Sequence, residues 1–95
     1  MSILFTISKP PALGLLESCQ SIIEGSDALL LLEDGVYYSL REDLICPLGR
    51  IPIYCLEEDL LARGLAEKTF ELIQQVNYER FVKLCTEYSK VVSWF

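Results

Sequence analysis

The sequence predicts an α/β fold: a single-domain three-layer sandwich over residues 1–95, with a mostly parallel sheet of about five strands and helices on both faces. Short apolar runs without alternating polar residues, such as residues 28–32, are typical of strands buried on both faces of a parallel sheet. These runs alternate along the chain with amphipathic segments, which is the pattern of strand–helix–strand units. A length of 95 residues suits one domain with a modest core.

The predicted strands are short runs rich in β-branched, leucine or aromatic residues. They cover residues 2–7, 28–32, 51–56, 70–76 and 91–95. Prolines lie at their borders, since Pro10 and Pro11 follow the first run and Pro52 lies near the start of the third. Proline is tolerated at the beginning of a strand or outside it, so these positions agree with the strand prediction.

Helices are predicted in the segments between the strands. They cover residues 12–23, a helix that begins within 36–40, residues 57–63 and residues 78–88. The first helix is amphipathic, with Leu13, Leu16 and Ile23 near one face. Gly64 suits the position after the third helix. Asn77 is a suitable N-cap for the fourth, because its side-chain oxygen can accept a hydrogen bond from the first turn.

The composition is apolar and acidic. Hydrophobic residues make up 52% of the chain and the mean hydropathy is +0.33, which is high for a small domain. We expect part of this apolar surface to face another subunit, although a tightly packed core remains an alternative. The net charge is −6, from 14 acidic and 8 basic residues, so the chain lacks the basic field that binds phosphate backbones. We therefore expect no direct contact with nucleic acid.

The sequence favours a cytoplasmic location. No stretch reaches the roughly 18–20 apolar residues of a membrane span, and the N-terminus does not resemble a secretory signal. The four cysteines, which are Cys19, Cys46, Cys55 and Cys85, are then expected to be reduced thiols. Because the chain has no histidine and no C-x-x-C pair, the common zinc sites are excluded and we expect no metal or other cofactor.

The chain lacks the residues that most classes of enzyme use for catalysis. Without histidine there is no Ser-His-Asp or Cys-His nucleophile, and no glycine-rich phosphate loop is present. Two acidic segments, Glu33-Asp34 and Glu57-Glu58-Asp59, follow predicted strands, where open α/β sheets bind ligands. We favour a structural interpretation, in which the first segment forms a turn and the second places negative charge at the N-terminus of a helix.

The cysteines are the remaining candidates for chemistry. Cys55 lies inside a predicted strand and Cys85 on the apolar side of the last helix, so both are expected to be buried. Cys46 precedes a proline in a loop. Cys19 lies at the border of the apolar stripe of the first helix, where a partly exposed thiol could carry a persulfide. The sequence therefore marks Cys19 as the candidate catalytic residue, with a purely structural role as the alternative.

Three segments, in the order expected, resemble motifs of the TusB/DsrH family of sulfur-relay proteins. Residues 30–37 read LLLEDGVY, residues 53–64 read IYCLEEDLLARG, and residues 77–84 read NYERFVKL. A terminal Ser93-Trp94-Phe95 adds to the third segment. The resemblance covers nearly the whole chain, and it is the joint occurrence of the segments that makes it specific.

This resemblance implies a DsrE-like fold and a place in a cytoplasmic heterohexamer built from two copies each of three related subunits. The implied partners are TusC/TusD-like or DsrE/DsrF-like proteins. In the tRNA branch such a complex passes persulfide sulfur toward 2-thiolation of the wobble uridine, and in the other branch it serves dissimilatory sulfur oxidation. The principal relay cysteine belongs to a different subunit in both branches, which implies that this chain is an auxiliary, non-catalytic subunit.

Residues 16–19 read LESC, which resembles the first helix of the sulfur-oxidation branch. The resemblance thus implies a sulfur-handling role for Cys19 and leaves the branch open. Two other classes of function remain as alternatives. One is a self-sufficient persulfide carrier centred on Cys19, and the other is a flavodoxin-like binding module, for which no phosphate loop is present.

Overall fold

The computed structural model describes residues 2–94 and, within them, every side chain except that of Cys19. Five strands form one sheet in the order β4-β3-β2-β1-β5, and every neighbouring pair is parallel. The strands are β1 (Ile3–Ile7), β2 (Ala28–Leu31), β3 (Ile53–Leu56), β4 (Ile73–Val76) and β5 (Lys90–Trp94). The predicted sheet is confirmed, and it is parallel throughout.

Four α-helices and four 3₁₀-helices connect the strands. The α-helices are α1 (Leu15–Cys19), α2 (Glu42–Ile45), α3 (Glu57–Ala62) and α4 (Tyr78–Glu87). The 3₁₀-helices are Pro11–Leu13, Gln20–Ile22, Glu33–Leu40 and Cys46–Leu48. Asn77 caps α4 as predicted, because its Oδ1 accepts a hydrogen bond from the N–H of Arg80 at 2.8 Å. None of the helices within residues 2–94 is long and apolar enough to cross a bilayer.

Both faces of the sheet are covered, which confirms the three layers. On one face, strand residues such as Leu29 and Ile53 pack with Leu16 of α1 and Leu60 of α3. On the other face, α4 alone supplies a buried helix residue, Leu84. All four residues of β2 and all four of β3 are buried, because a central parallel strand meets a helical layer on each side.

Strand β5 completes the sheet beside β1. The ring of Trp94 stacks on that of Phe5 with centroids 4.5 Å apart. On the opposite face Thr6 Oγ1 donates a hydrogen bond to Ser93 Oγ at 3.0 Å. The hydrogen bond joins residues 87 positions apart in sequence. The predicted strand at 91–95 therefore begins one residue earlier, at Lys90, and Phe95 lies outside the described residues.

The prediction of one continuous helix over residues 12–23 is wrong. Gly14 adopts a left-handed conformation (φ 67°) and separates the Pro11–Leu13 turn from α1. Only glycine adopts this backbone conformation at little cost in free energy, and a right-handed helix cannot continue through it. The broken path leaves Leu13 60% exposed, whereas Leu16 and Ile23 are buried as predicted.

Other boundaries also differ from the prediction. The helix placed within 36–40 begins at Glu33 and is a 3₁₀-helix. The helix placed at 57–63 ends at Ala62, so Arg63 lies at its C-cap. The strand placed at 70–76 begins at Ile73, because the N–H of Ile73 donates to the carbonyl oxygen of Phe70 at 3.1 Å in a turn.

Candidate functional site

The two acidic segments meet at the edge of the sheet where β2 and β3 end. The N–H of Glu33 donates to Asp59 Oδ2 at 2.6 Å. Arg63 donates to Asp34 Oδ1 from Nη2 at 3.0 Å and from Nε at 3.3 Å. A longer ion pair of 3.8 Å joins Arg63 Nη1 to Asp59 Oδ1. We call these four residues the acid–arginine network, and it ties the Glu33–Leu40 helix to α3.

The network has structural rather than catalytic geometry. The hydrogen bond to Asp34 is the main cause that raises the pKa of Arg63 above its ordinary value. The Asp34 side chain is 56% exposed, so solvent screens this pair and its contribution to stability is about 0–1 kcal/mol. Glu33 has a left-handed backbone (φ 49°), which is uncommon for a residue other than glycine. The contact of its N–H with Asp59 helps to hold this turn.

Gly35 fixes the distance between the Glu33–Leu40 helix and β1. A Cβ atom built on Gly35 would overlap the carbonyl oxygen of Ile7 and lie 2.8 Å from its carbonyl carbon. The same oxygen accepts a hydrogen bond from the N–H of Leu32 at 3.1 Å. Only glycine allows this approach without a shift of backbone. Close packing against β1 therefore explains why glycine follows Asp34 at this position.

Tyr38 connects the Glu33–Leu40 helix to α1. Its side chain is fully buried, and its hydroxyl accepts a hydrogen bond from the N–H of Leu16 at 3.3 Å. The same hydroxyl donates to Glu17 Oε1 at 3.5 Å. Burial is the main cause that raises the pKa of Tyr38, so the phenol stays protonated at neutral pH. A helix of five residues has little stability of its own, so this contact contributes to its position.

Cys19 is the last residue of α1. Its side chain lies outside the described residues, so the predicted helix-border position of the thiol stays a prediction. In the residue directly before it, Ser18 Oγ donates a hydrogen bond to the carbonyl oxygen of Gly14 at 3.0 Å. The structure thus places the backbone of Cys19 at the end of the short helix that Tyr38 contacts.

The other cysteines differ in burial. Cys55 is fully buried as predicted, and burial raises the pKa of its thiol to about 12. Cys85 is only partly buried, which corrects the prediction of a core position, because it lies at the margin of the α4 contact with the sheet. Burial also raises the pKa of Cys85. Cys46 is exposed and lines a surface groove of about 550 Å³ together with Glu42, Phe70 and Glu71.

Sequence reasoning did not single out Tyr38 or the pairing of Arg63 with Asp34. Tyr38 directly follows Tyr37, and the sequence does not show which of the two side chains is buried. The pairing joins residues 29 positions apart, so only the sheet topology brings them together. The one available signal was that an acidic turn and an arginine both follow neighbouring parallel strands, whose carboxyl ends meet at one edge.

Comparison with known proteins agrees with this arrangement. A model of the family described as "DsrH like protein" matches residues 10–91. The proteins named TusB from Salmonella arizonae and Salmonella newport are each 34% identical over 76 residues, which is 77% of this chain and 80% of theirs. The matched region contains the acid–arginine network, Gly35 and Tyr38.

Solved structures show the same fold at low sequence identity. The ychN protein from E. coli superposes with a TM-score of 0.78 at 13% identity, over 98% of this chain and 97% of that one. A Methanobacterium thermoautotrophicum protein of unknown function gives a TM-score of 0.74 at 15% identity, over 98% of each chain. With the family model and the TusB relatives matching most of its length, the chain belongs to the TusB/DsrH family.

Proposed function

We propose that this chain is an auxiliary subunit of a cytoplasmic sulfur-relay complex that passes persulfide sulfur toward 2-thiolation of the tRNA wobble uridine. The observation that carries the proposal is the relationship to proteins named TusB over 77% of the chain. Two related DsrE-like subunits, TusC/TusD-like or DsrE/DsrF-like, would complete the heterohexamer. This chain would contribute structure and a docking surface, and it would not bind the tRNA itself.

The chemistry of the described residues supports an auxiliary role. Persulfide relay needs a thiolate that attacks the outer sulfur of a donor persulfide; a new S–S bond forms as the donor S–S bond breaks, and the donor leaves as a thiolate. No external oxidant or reductant is required. Cys55 and Cys85 are poor candidates for the attacking group, because burial raises the pKa of both thiols. The acidic side chains Asp34 and Asp59 are already engaged with Arg63.

A second candidate is the equivalent subunit of a dissimilatory sulfur-oxidation complex, in which Cys19 handles sulfur. The LESC segment at residues 16–19 favours it. A self-sufficient persulfide carrier would use the same cysteine without partners. Sulfur transfer by the isolated chain would identify the self-sufficient carrier, because a subunit that needs its partners relays nothing alone.

Assembly tests the proposed function. Co-expression with the two DsrE-like paralogues of the same organism should give one stable hetero-oligomer, measured by size-exclusion chromatography with light scattering. The complex should transfer sulfur from a persulfide donor, and the isolated chain should not. A well-folded monomer that elutes apart from both paralogues would contradict the proposal.

Persulfide mapping tests Cys19. If Cys19 handles sulfur, as the second candidate requires, mass spectrometry after incubation of the complex with a persulfide donor should show an added mass of about 32 Da on the Cys19 peptide, since one sulfur atom is gained. Cys19→Ser should remove this addition and lower sulfur flow, while assembly persists. Cys46→Ser, which removes an exposed thiol, is the matched control and should leave the flow unchanged. Equal labelling of all four cysteines would return Cys19 to a structural role.

A further inference from the structure

The Glu33–Leu40 helix has an exposure pattern with a period of three. Asp34, Tyr37 and Leu40 are exposed, and the residues between them are buried. A 3₁₀-helix has three residues per turn, so side chains three positions apart lie in one line. Tyr37 is 38% exposed and Leu40 is 42% exposed. We call these three residues the outer row, which consists of two apolar side chains with a carboxylate at one end.

Hydrogen bonds to neighbouring groups support the outer row. Arg63 holds Asp34, and the buried hydroxyl of Tyr38 contacts α1. Ser39 Oγ donates to the carbonyl oxygen of Val36 at 2.6 Å. Runs of 3₁₀-helix longer than three or four residues are uncommon, so an eight-residue run depends on such support. A surface ordered in advance loses little conformational entropy when a partner binds.

Acidic residues flank the outer row. Glu33 precedes it and is exposed, and Glu42 and Asp43 follow it at the start of α2. Two arginines lie close to the row, and each is paired with a carboxylate at 3.0 Å, Arg41 with Asp43 and Arg63 with Asp34. The row is therefore an apolar strip in a negatively charged setting, in a chain whose net charge is −6.

We propose that the outer row is the docking surface for a partner subunit that presents an apolar pocket rimmed by lysine and arginine. The inference rests on the proposed function, which requires partner subunits. Tyrosine is enriched among the residues that dominate binding energy, and a phenol ring beside a leucine suits a central anchor. A basic rim would complement Glu33 on one side and Glu42 on the other.

A second copy of this chain is a poorer occupant. A two-fold contact through the outer row would place the same acidic flanks opposite each other, and like charges across an interface are unfavourable.

The test compares two pairs of exposed apolar residues in the full chain. Tyr37→Ser with Leu40→Ser alters the outer row. Tyr78→Ser with Val82→Ser is the matched control, because these residues lie one turn apart on α4 and are 59% and 51% exposed. Binding to each purified DsrE-like paralogue is measured by titration calorimetry at low and high salt, and thermal melting checks that both variants fold.

The outer-row variant should raise the Kd at least about tenfold, which corresponds to the loss of one anchor residue, and the control should change it less than about threefold. Wild-type affinity should fall as salt rises, because salt screens the acidic flanks from the basic rim. Equal losses in the two variants, or binding that salt does not weaken, would overturn the proposal. So would self-association that the outer-row substitutions abolish. Failure of the wild-type chain to bind either paralogue would instead contradict the proposed function.

Discussion

Gly35→Ala is expected to destabilise the fold by about 3 kcal/mol, because the new methyl group would occupy the position of the Ile7 carbonyl oxygen. The obstacle is backbone in a central strand, which cannot move aside as a flexible side chain can. Any shift of Ile7 would also lengthen its hydrogen bond from the N–H of Leu32. Urea unfolding followed by circular dichroism measures the change in the free energy of unfolding.

Gly25→Ala is the matched control for this substitution. A Cβ atom at Gly25 would meet nothing within 4 Å, and its backbone is not left-handed. The control should change the free energy of unfolding by less than about 1 kcal/mol, and restriction of the unfolded chain favours a small gain. Similar stability of the two variants would show that Gly35 does not hold the Glu33–Leu40 helix against β1.

Alkaline pH is expected to weaken the fold through Cys55. Burial raises the pKa of this thiol from 9.0 to about 12. Between these values the folded chain keeps a proton that the unfolded chain releases, so stability is fully present below about pH 9 and falls as pH rises toward 12. Each pH unit in this window costs about 1.4 kcal/mol, so the loss at pH 11 is roughly 2–3 kcal/mol.

Cys55→Ser isolates this effect, because a hydroxyl does not titrate in the range. At neutral pH the variant should be less stable than wild type by roughly 1 kcal/mol, near the lower limit for a buried polar group, since Ser39 is within hydrogen-bonding reach. At pH 11 the gap should close or reverse. Tyr38 and Tyr88, whose pKa values burial also raises, are common to both proteins and cancel in the difference. Parallel stability curves from pH 8 to pH 11 would contradict this prediction.

The sheet was predictable because its central strands are continuous apolar runs. Residues 28–32 contain no polar position, and the four residues of β2 are buried on both faces. The helices were harder to predict. A left-handed conformation at Gly14 cannot be distinguished from an ordinary helical glycine in a sequence, although it breaks the predicted helix. Leu16 and Ile23 are nevertheless buried as predicted, and both lie after Gly14, so the break does not separate them.

The candidate site was predictable only in part. The family motifs mark residues 33–35 and 57–63, and both segments do lie at the sheet edge. The contacts that the two segments make at this edge depend on how the fold brings them together. The contact of Asp34 with Arg63 and the burial of Tyr38 beside the exposed Tyr37 follow from tertiary packing, which a single sequence does not encode locally. The period-three exposure of the outer row likewise depends on the Glu33–Leu40 segment being a 3₁₀-helix and not an α-helix.

The place of β1 between β2 and β5 affects how the protein folds. One edge of β1 pairs with β2, which is close in sequence. The other edge pairs with β5, which lies 87 residues further along the chain. Long-range parallel pairing is slow, because the entropy of closing the loop is lost before the contacts form. Until β5 arrives, the unpaired edge of an apolar strand is open to any extended chain nearby. During synthesis on the ribosome, this edge of β1 stays unpaired until β5 has been made. Chaperones would protect the nascent chain most during that time.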